Sequence, residues 1–225
     1  MALLVIEGLD GAGKSTQVKL LQEYLASKGV RYEYLHFPRT DSPVYGDLIA
    51  RFLRGELGDN NSVNPYLVAL IYAGDRADSR QMLENWLNSG VTVILDRYVY
   101  SNVAYQCAKL DGWDKKEALK KWILETEFNY FKIPKPDLNI FLDVPFEFTR
   151  RKLTANRSGD DRSYLQGQRD IHEEDLDFQS RVRDVYVSLD SEEYFTPIDC
   201  SKDGAMLPPD AIFSKVVGKL KAKGF

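Results

Sequence analysis

The stretch Gly8-Leu9-Asp10-Gly11-Ala12-Gly13-Lys14-Ser15 sets two glycines five residues apart and follows them with lysine and serine. That spacing lets a backbone wrap around phosphates, and typical residue frequencies give it roughly a one per cent chance of arising anywhere in a chain this long. Gly8, Gly11 and Gly13 allow backbone amides to turn toward phosphate oxygens, and a following helix adds the positive end of its dipole. Lys14 reaches the terminal phosphates and Ser15 can ligate Mg²⁺. A second chemical pair stands at Asp96-Arg97. A carboxylate closing a parallel strand beside such a loop is placed to hold Mg²⁺ directly or through water, and an adjacent arginine can bridge two phosphoryl groups. Arg39 and Arg76 fall between the first helix and that strand, where a second substrate would sit. Each offers planar, bidentate donors to a phosphate or a base carbonyl. Tyr72, one helical turn before Arg76, sets an aromatic face beside it. Taken singly, the two arginines also read as solvated charges, Tyr72 as core, and Asp96 as half of a strand-end salt bridge.

These groups need a frame, and hydrophobic periodicity supplies one. Leu3-Leu4-Val5-Ile6 is a continuous apolar run that ends in the glycine-rich turn. Val18, Leu20, Leu21, Tyr24 and Leu25 then recur at helical spacing up to Gly29. An extended stretch from Tyr32 to Phe37 stops at Pro38. Helical patterns follow over Tyr45 to Leu53 and Pro65 to about Leu87. Further strands are expected at Val91 to Leu95, Leu138 to Leu142 and Tyr194 to Ile198, with helices near Ser101 to Leu110, Lys115 to Phe131 and Pro209 to Lys221. Apolar strands alternating with helices indicate an α/β fold whose parallel sheet is covered on both faces. Residues 154–174 break this rhythm. The segment is polar, carries Arg157, Arg162 and Arg169, lacks an apolar period, and reads as a long mobile lid. No repeat or linker divides the chain, so residues 1–225 are expected to form one domain.

Composition narrows the partners. With 30 Lys and Arg against 34 Asp and Glu, the formal charge of -4 argues against a general nucleic-acid binder. Small ligands and protein partners remain. Two cysteines in unrelated contexts fit a reduced, cytoplasmic setting. The apolar run at the N-terminus is followed at once by Glu7, too short for a leader or for the ~20 residues that cross a bilayer. Neither His36 nor His172 has the neighbours a zinc site requires, so no metal beyond Mg²⁺ is expected.

Gly8 to Thr16, Phe37-Pro38-Arg39, Tyr72 to Arg76, Asp96-Arg97-Tyr98 and Ser101 to Gln106 occur in the order found in thymidylate kinases, and the sequence resembles that family from its first strand to its last helix. The resemblance implies a P-loop NTPase-type three-layer fold with a five-stranded parallel sheet flanked by helices. It also implies a homodimer, and transfer of the ATP γ-phosphoryl group to dTMP with Mg²⁺ on the route to dTTP. ATP would be held by Gly8, Gly11, Ala12, Gly13, Lys14, Ser15, Thr16 and Arg150. The resemblance places Asp10 near the acceptor sugar and phosphate, and Mg²⁺ with Ser15, Asp96 and Asp10. Arg39 and Arg97 would grip the dTMP phosphate, Tyr72 would stack on thymine, Arg76 would read the base O4 and Asn102 would face N3. Tyr105 would crowd the sugar 2′ position, with Phe37, Ser101 and Gln106 completing the acceptor site. Some members carry an arginine in the loop where this chain has Gly11, so the transition-state cation is expected from the lid: Arg157 or Arg162, with Arg150 and Arg151 as substitutes.

The mechanism these residues suit is positioning and charge neutralisation, since an acceptor phosphate is nucleophilic at neutral pH and needs no strong base. Lid closure would exclude water. The competing readings are a deoxynucleoside kinase, whose sugar hydroxyl needs a carboxylate base, and a nucleotide-dependent switch. Arg39 with Arg97 favours a phosphate acceptor over the first, and the absence of a guanine-reading Asn-Lys-x-Asp motif disfavours the second.

Overall fold

The computed structural model describes residues 1–154, 164–167, 170–173 and 175–225. Its main sheet has five parallel strands in the order β2-β3-β1-β4-β5: β1 Leu3–Glu7, β2 Tyr32–His36, β3 Thr92–Asp96, β4 Leu138–Asp143 and β5 Phe195–Asp199. Every residue of β1 and β3 is buried. Strands covered on both faces have no solvent side to alternate toward, which is why they read as unbroken apolar runs. β2 lies at one edge and is largely exposed, so it tolerates Glu33 and Tyr34. The register aligns Ile6 with Asp96, bringing the carboxyl ends of β1 and β3 level. Strand ends at the centre of a doubly covered parallel sheet are where such folds bind ligands.

The helices are α1 Lys14–Ser27, α2 Tyr45–Leu53, α3 Pro65–Asn88, α4 Val99–Cys107, α5 Trp113–Leu124, α6 Phe146–Thr154, α7 Leu176–Ser188 and α8 Pro209–Ala222. A two-stranded hairpin, β6 Ser201–Lys202 with β7 Ala205–Met206, precedes α8. Local chemistry explains several starts. Asn64 accepts the Tyr66 N–H at 2.9 Å with Pro65 at the first helical position, and Asp175 accepts the Phe178 N–H at 2.8 Å.

Three expectations need correcting. The helix expected over Lys115 to Phe131 is α5 followed by a π-helical segment, Glu125–Tyr130, whose wider turn carries Glu127 inward. The helix expected from Ser101 begins two residues earlier, at Val99. Two helices lack bounds in the sequence reading: α6, which it did not mark, and α7, which it marked only as a helix following His172. α6 buries only Thr149 and so shows no apolar stripe. α7 did carry a signal, because Phe178, Val182, Val185 and Tyr186 fall at helical spacing behind an aspartate cap.

Candidate active site

The loop after β1 is built to receive anions. Gly13, the N-cap of α1, has φ of +84°, and no side chain caps the first turn. The amides there are thus left for a ligand. Lys14 is buried, and its Nζ donates to the carbonyls of Gly8 at 3.3 Å and Leu9 at 3.0 Å. Burial pulls its pKa down to about 8, with Arg97 adding to the effect and Asp96, Asp10 and Glu7 opposing it. Gly11 has φ of +77°, and a Cβ there would lie 2.9 Å from the Lys152 Cβ. A larger residue at this position would require α6 to shift. Lys152 itself lines the cavity beside the loop.

Across the sheet, Asp96 lies with Oδ2 at 3.6 Å from His36 Nδ1, while its buried Oδ1 has no partner. Burial pushes the Asp96 carboxyl up, but His36, Lys14 and Arg97 together hold it below the usual range. Arg97 follows with φ of +68°, a conformation that costs an L-residue about 1–3 kcal/mol. Its backbone N–H donates to Ile6 at 2.9 Å. Its Nη2 donates to Asp10 Oδ1 at 2.6 Å and to the Tyr105 hydroxyl at 3.3 Å, and its Nη1 to Ser101 Oγ at 3.2 Å. Tyr105 donates in turn to Asp10 Oδ2 at 2.7 Å. Both Asp10 oxygens are therefore engaged by Arg97 and Tyr105.

Behind this clamp opens a cavity of about 300 Å³ with Phe37, Tyr72, Arg76, Asn102, Tyr105 and Gln106 in its wall. Arg76 is almost wholly buried and gives Nε and Nη2 to Glu127 at 2.5 and 2.7 Å. Nη1 takes no part in that pair. Asn102 Nδ2 donates to the Ala69 carbonyl at 3.0 Å and to Glu127 Oε1 at 2.9 Å. Two acceptors on one side fix the orientation of this amide, and the buried Oδ1 has no partner. The wall thus presents a donor and an acceptor from neighbouring side chains. Gln106 Oε1 is also buried without a partner.

Several expected residues stand elsewhere. Arg39 does not line the cavity: its Nε and Nη2 are held by Asp75 and Asp78 at 2.9 and 2.7 Å. Opposite charges one helical turn apart on α3 claim it first. Arg150 is half exposed and pairs with Glu147 at 3.0 Å, and Arg151 Nε reaches the Glu147 carbonyl; neither lines the cavity. Arg157, Arg162 and Arg169 lie outside the described residues. Ser15 lines the cavity, Ala12 is buried behind the loop, and Thr16 is exposed on α1.

The sequence reading missed Glu7, Glu127, Tyr164, Asp170 and His172, and gave His172 no role. His172 is buried against the rings of Tyr105 and Phe178 at 5.0 and 5.4 Å, its Nε2 has no partner, and burial holds it neutral. Asp170 accepts the His172 N–H at 2.8 Å and the Tyr164 hydroxyl at 2.9 Å. Burial first, then the charge of Asp10, raises its pKa to about 7. Between its unfolded value of about 4 and about 7 the folded chain keeps a proton that the unfolded chain has lost, so this contribution to stability falls as pH rises through that window. Wild type should therefore lose on the order of a few kcal/mol relative to Asp170→Asn between pH 4 and 7. Unfolding midpoints across that range check this, and parallel profiles for the two proteins would contradict it.

Donor phosphates on the loop and an acceptor in the cavity would meet at Arg97, which is the arrangement of a P-loop nucleotide kinase. A family model described as thymidylate kinase matches residues 6–204. The thymidylate kinase of Mycobacterium tuberculosis is 35% identical over 187 residues, covering 83% of this chain and 85% of the relative. That of Plasmodium falciparum is 29% identical over 220 residues, covering 98% and 91%. The structure of thymidylate kinase from Candida albicans superposes with a TM-score of 0.73 at 25% identity, covering 98% of this chain and 91% of that one. The chain belongs to the thymidylate kinase family.

Proposed function

We propose that this enzyme of nucleotide biosynthesis carries out thymidylate kinase activity by docking the dTMP base against Arg76 and Asn102. The γ-phosphoryl group of ATP then passes to the acceptor phosphate beneath Arg97, giving dTDP and ADP. The observation that carries the base choice is the adjacent donor and acceptor. Arg76 Nη1 suits the O4 of a 4-oxo pyrimidine, and Asn102 Oδ1 suits its N3–H. Cytosine inverts both groups, setting an amine against the guanidinium and a lone pair against the amide oxygen. Sites built on buried hydrogen bonds reject substrates that leave them unpaired by about 10⁴-fold or more. kcat/KM for dTMP should exceed that for dCMP by that order, and a ratio below about 100 would sink this account of the base site.

Tyr72 supplies a face for the ring, and Tyr105, fixed between Arg97 and Asp10, stands where a 2′-hydroxyl would crowd it. The acceptor phosphate is already a nucleophile, so the chain's task is to align it and neutralise charge. Loop amides and Lys14 hold the donor, Arg97 spans donor and acceptor, and Asp10 keeps Arg97 in place. Lys152 adds a cation from α6. Magnesium belongs to the same proposal. The unpartnered Asp96 Oδ1 and the Ser15 hydroxyl, on two residues that line the cavity, offer hard oxygen donors, while the Asp10 oxygens are already engaged. Bound by Ser15 and Asp96, the ion would shield the phosphate oxygens. A homodimer is also part of this reading, with the exposed Leu67 and Leu70 of α3 as apolar surface for it to cover. Cytoplasmic placement completes it; no helix among the described residues is long and apolar enough to cross a membrane.

A further inference from the structure

Glu7 ends β1 one residue before the phosphate loop, and its side chain has no exposure to solvent. A buried carboxylate costs several kcal/mol unless hydrogen bonds satisfy it. Glu7 is satisfied almost entirely by the start of α4. Oε1 accepts the N–H of Tyr98 at 2.9 Å and of Ser101 at 3.2 Å, Oε2 accepts the Ser101 hydroxyl and is within reach of the Tyr186 hydroxyl at 3.0 Å, and those two hydroxyls also meet at 2.7 Å. α4 has no side-chain cap of its own, since the Tyr98 hydroxyl at the N-cap donates to the Pro134 carbonyl at 3.0 Å and makes no capping bond. The Ser101 N–H, third in the helix, is the donor an N-cap side chain ordinarily takes. Here a neighbouring strand takes it.

Two consequences converge on the site. Ser101 Oγ, oriented by Glu7, accepts from Arg97 Nη1 at 3.2 Å. The helix that Glu7 caps also carries Asn102, Tyr105 and Gln106 into the acceptor cavity. We propose that Glu7 is a positioning residue that ties the donor loop to the acceptor helix and, through Ser101, holds the Arg97 guanidinium where the phosphoryl group passes. This rests on the reading of Arg97 given above.

Glu7→Gln keeps the shape but sets an N–H where the Ser101 hydroxyl now donates, so that hydroxyl must turn and Ser101 Oγ spends a lone pair on the new amide. The test is a double-mutant cycle of Glu7→Gln with Arg97→Ala, read as kcat, with KM for ATP and the unfolding midpoint measured alongside. Glu7→Gln should lower kcat about 10- to 100-fold while KM for ATP stays within about threefold. In the Arg97→Ala background the same change should cost less than about threefold, because the group it positions is gone. A residue that merely supports the fold would lower kcat equally in both backgrounds. Should Glu7→Gln fail to fold, Tyr186→Phe, which removes from outside the cavity a hydroxyl shared by Glu7 and Ser101, carries the same cycle with a smaller expected loss of about 3- to 10-fold. A kcat within about twofold of wild type, or equal losses with and without Arg97, overturns the proposal. An Arg97→Ala protein that keeps its kcat would instead overturn the underlying reading of Arg97, and the proposal with it.

Discussion

Arg97→Ala should lower kcat for dTMP by about 10³-fold or more, the range seen when an arginine that neutralises a transferring phosphoryl group is removed. The guanidinium is held on three sides, by Asp10, by Ser101 and by the Tyr105 ring 5.2 Å from its centre. Such a group needs little reorganisation as charge develops, which is the source of its effect. Arg97→Lys should recover only a small part of the loss, because a single ammonium cannot reach Asp10 and Ser101 together while facing two phosphates. Steady-state rates at saturating ATP and dTMP decide it. A fall of less than tenfold in the alanine variant would remove Arg97 from the centre of the account.

Lys14→Ala should be as damaging, lowering kcat/KM for ATP by about 10³-fold. In the structure the ammonium folds onto the carbonyls of Gly8 and Leu9, so the loop holds its cation close to where donor phosphates would lie. Stability should change little, since the two carbonyls can exchange the lysine for water. The pH profile separates this role from a structural one. With burial drawing Lys14 down to about 8, wild-type kcat/KM for ATP should decline above that pH as the free enzyme loses the proton. kcat, read in the loaded enzyme where phosphate oxygens retain the proton, should persist to higher pH. A kcat/KM profile flat from pH 7 to 9.5, or an alanine variant within tenfold of wild type, would contradict the assignment.

The chemistry was legible wherever one short segment carried it. The loop from Gly8 to Ser15, the Asp96-Arg97 pair and the Tyr72 to Arg76 turn stand in unbroken sequence, and the structure brings them to one cavity. The buried strands were legible because burial on both faces leaves short apolar runs, here in strands of five or six residues rich in Val, Ile and Leu. What sequence left hidden are partners distant along the chain. Arg76 is committed to Glu127, 51 residues away, and only a π-helical turn within an expected α-helix carries that carboxylate inward. Arg39 has the residue type for a phosphate grip, and its pairing with Asp75 and Asp78, one turn apart on α3, is visible only in the structure. Glu7 looked like the polar end of a strand. Its role emerges only when α4 proves to start without a cap. Asp170 and His172 lie at the edge of a polar segment whose sequence has no period, so nothing local marked them as cavity wall.

The measurement closest to the central claim is magnesium-dependent ADP release from ATP with dTMP and with thymidine as acceptors. If Arg97 spans donor and acceptor phosphates, the enzyme should turn over dTMP strongly and thymidine negligibly. Comparable turnover of thymidine would contradict it and move the acceptor chemistry from the phosphate to the 5′-hydroxyl.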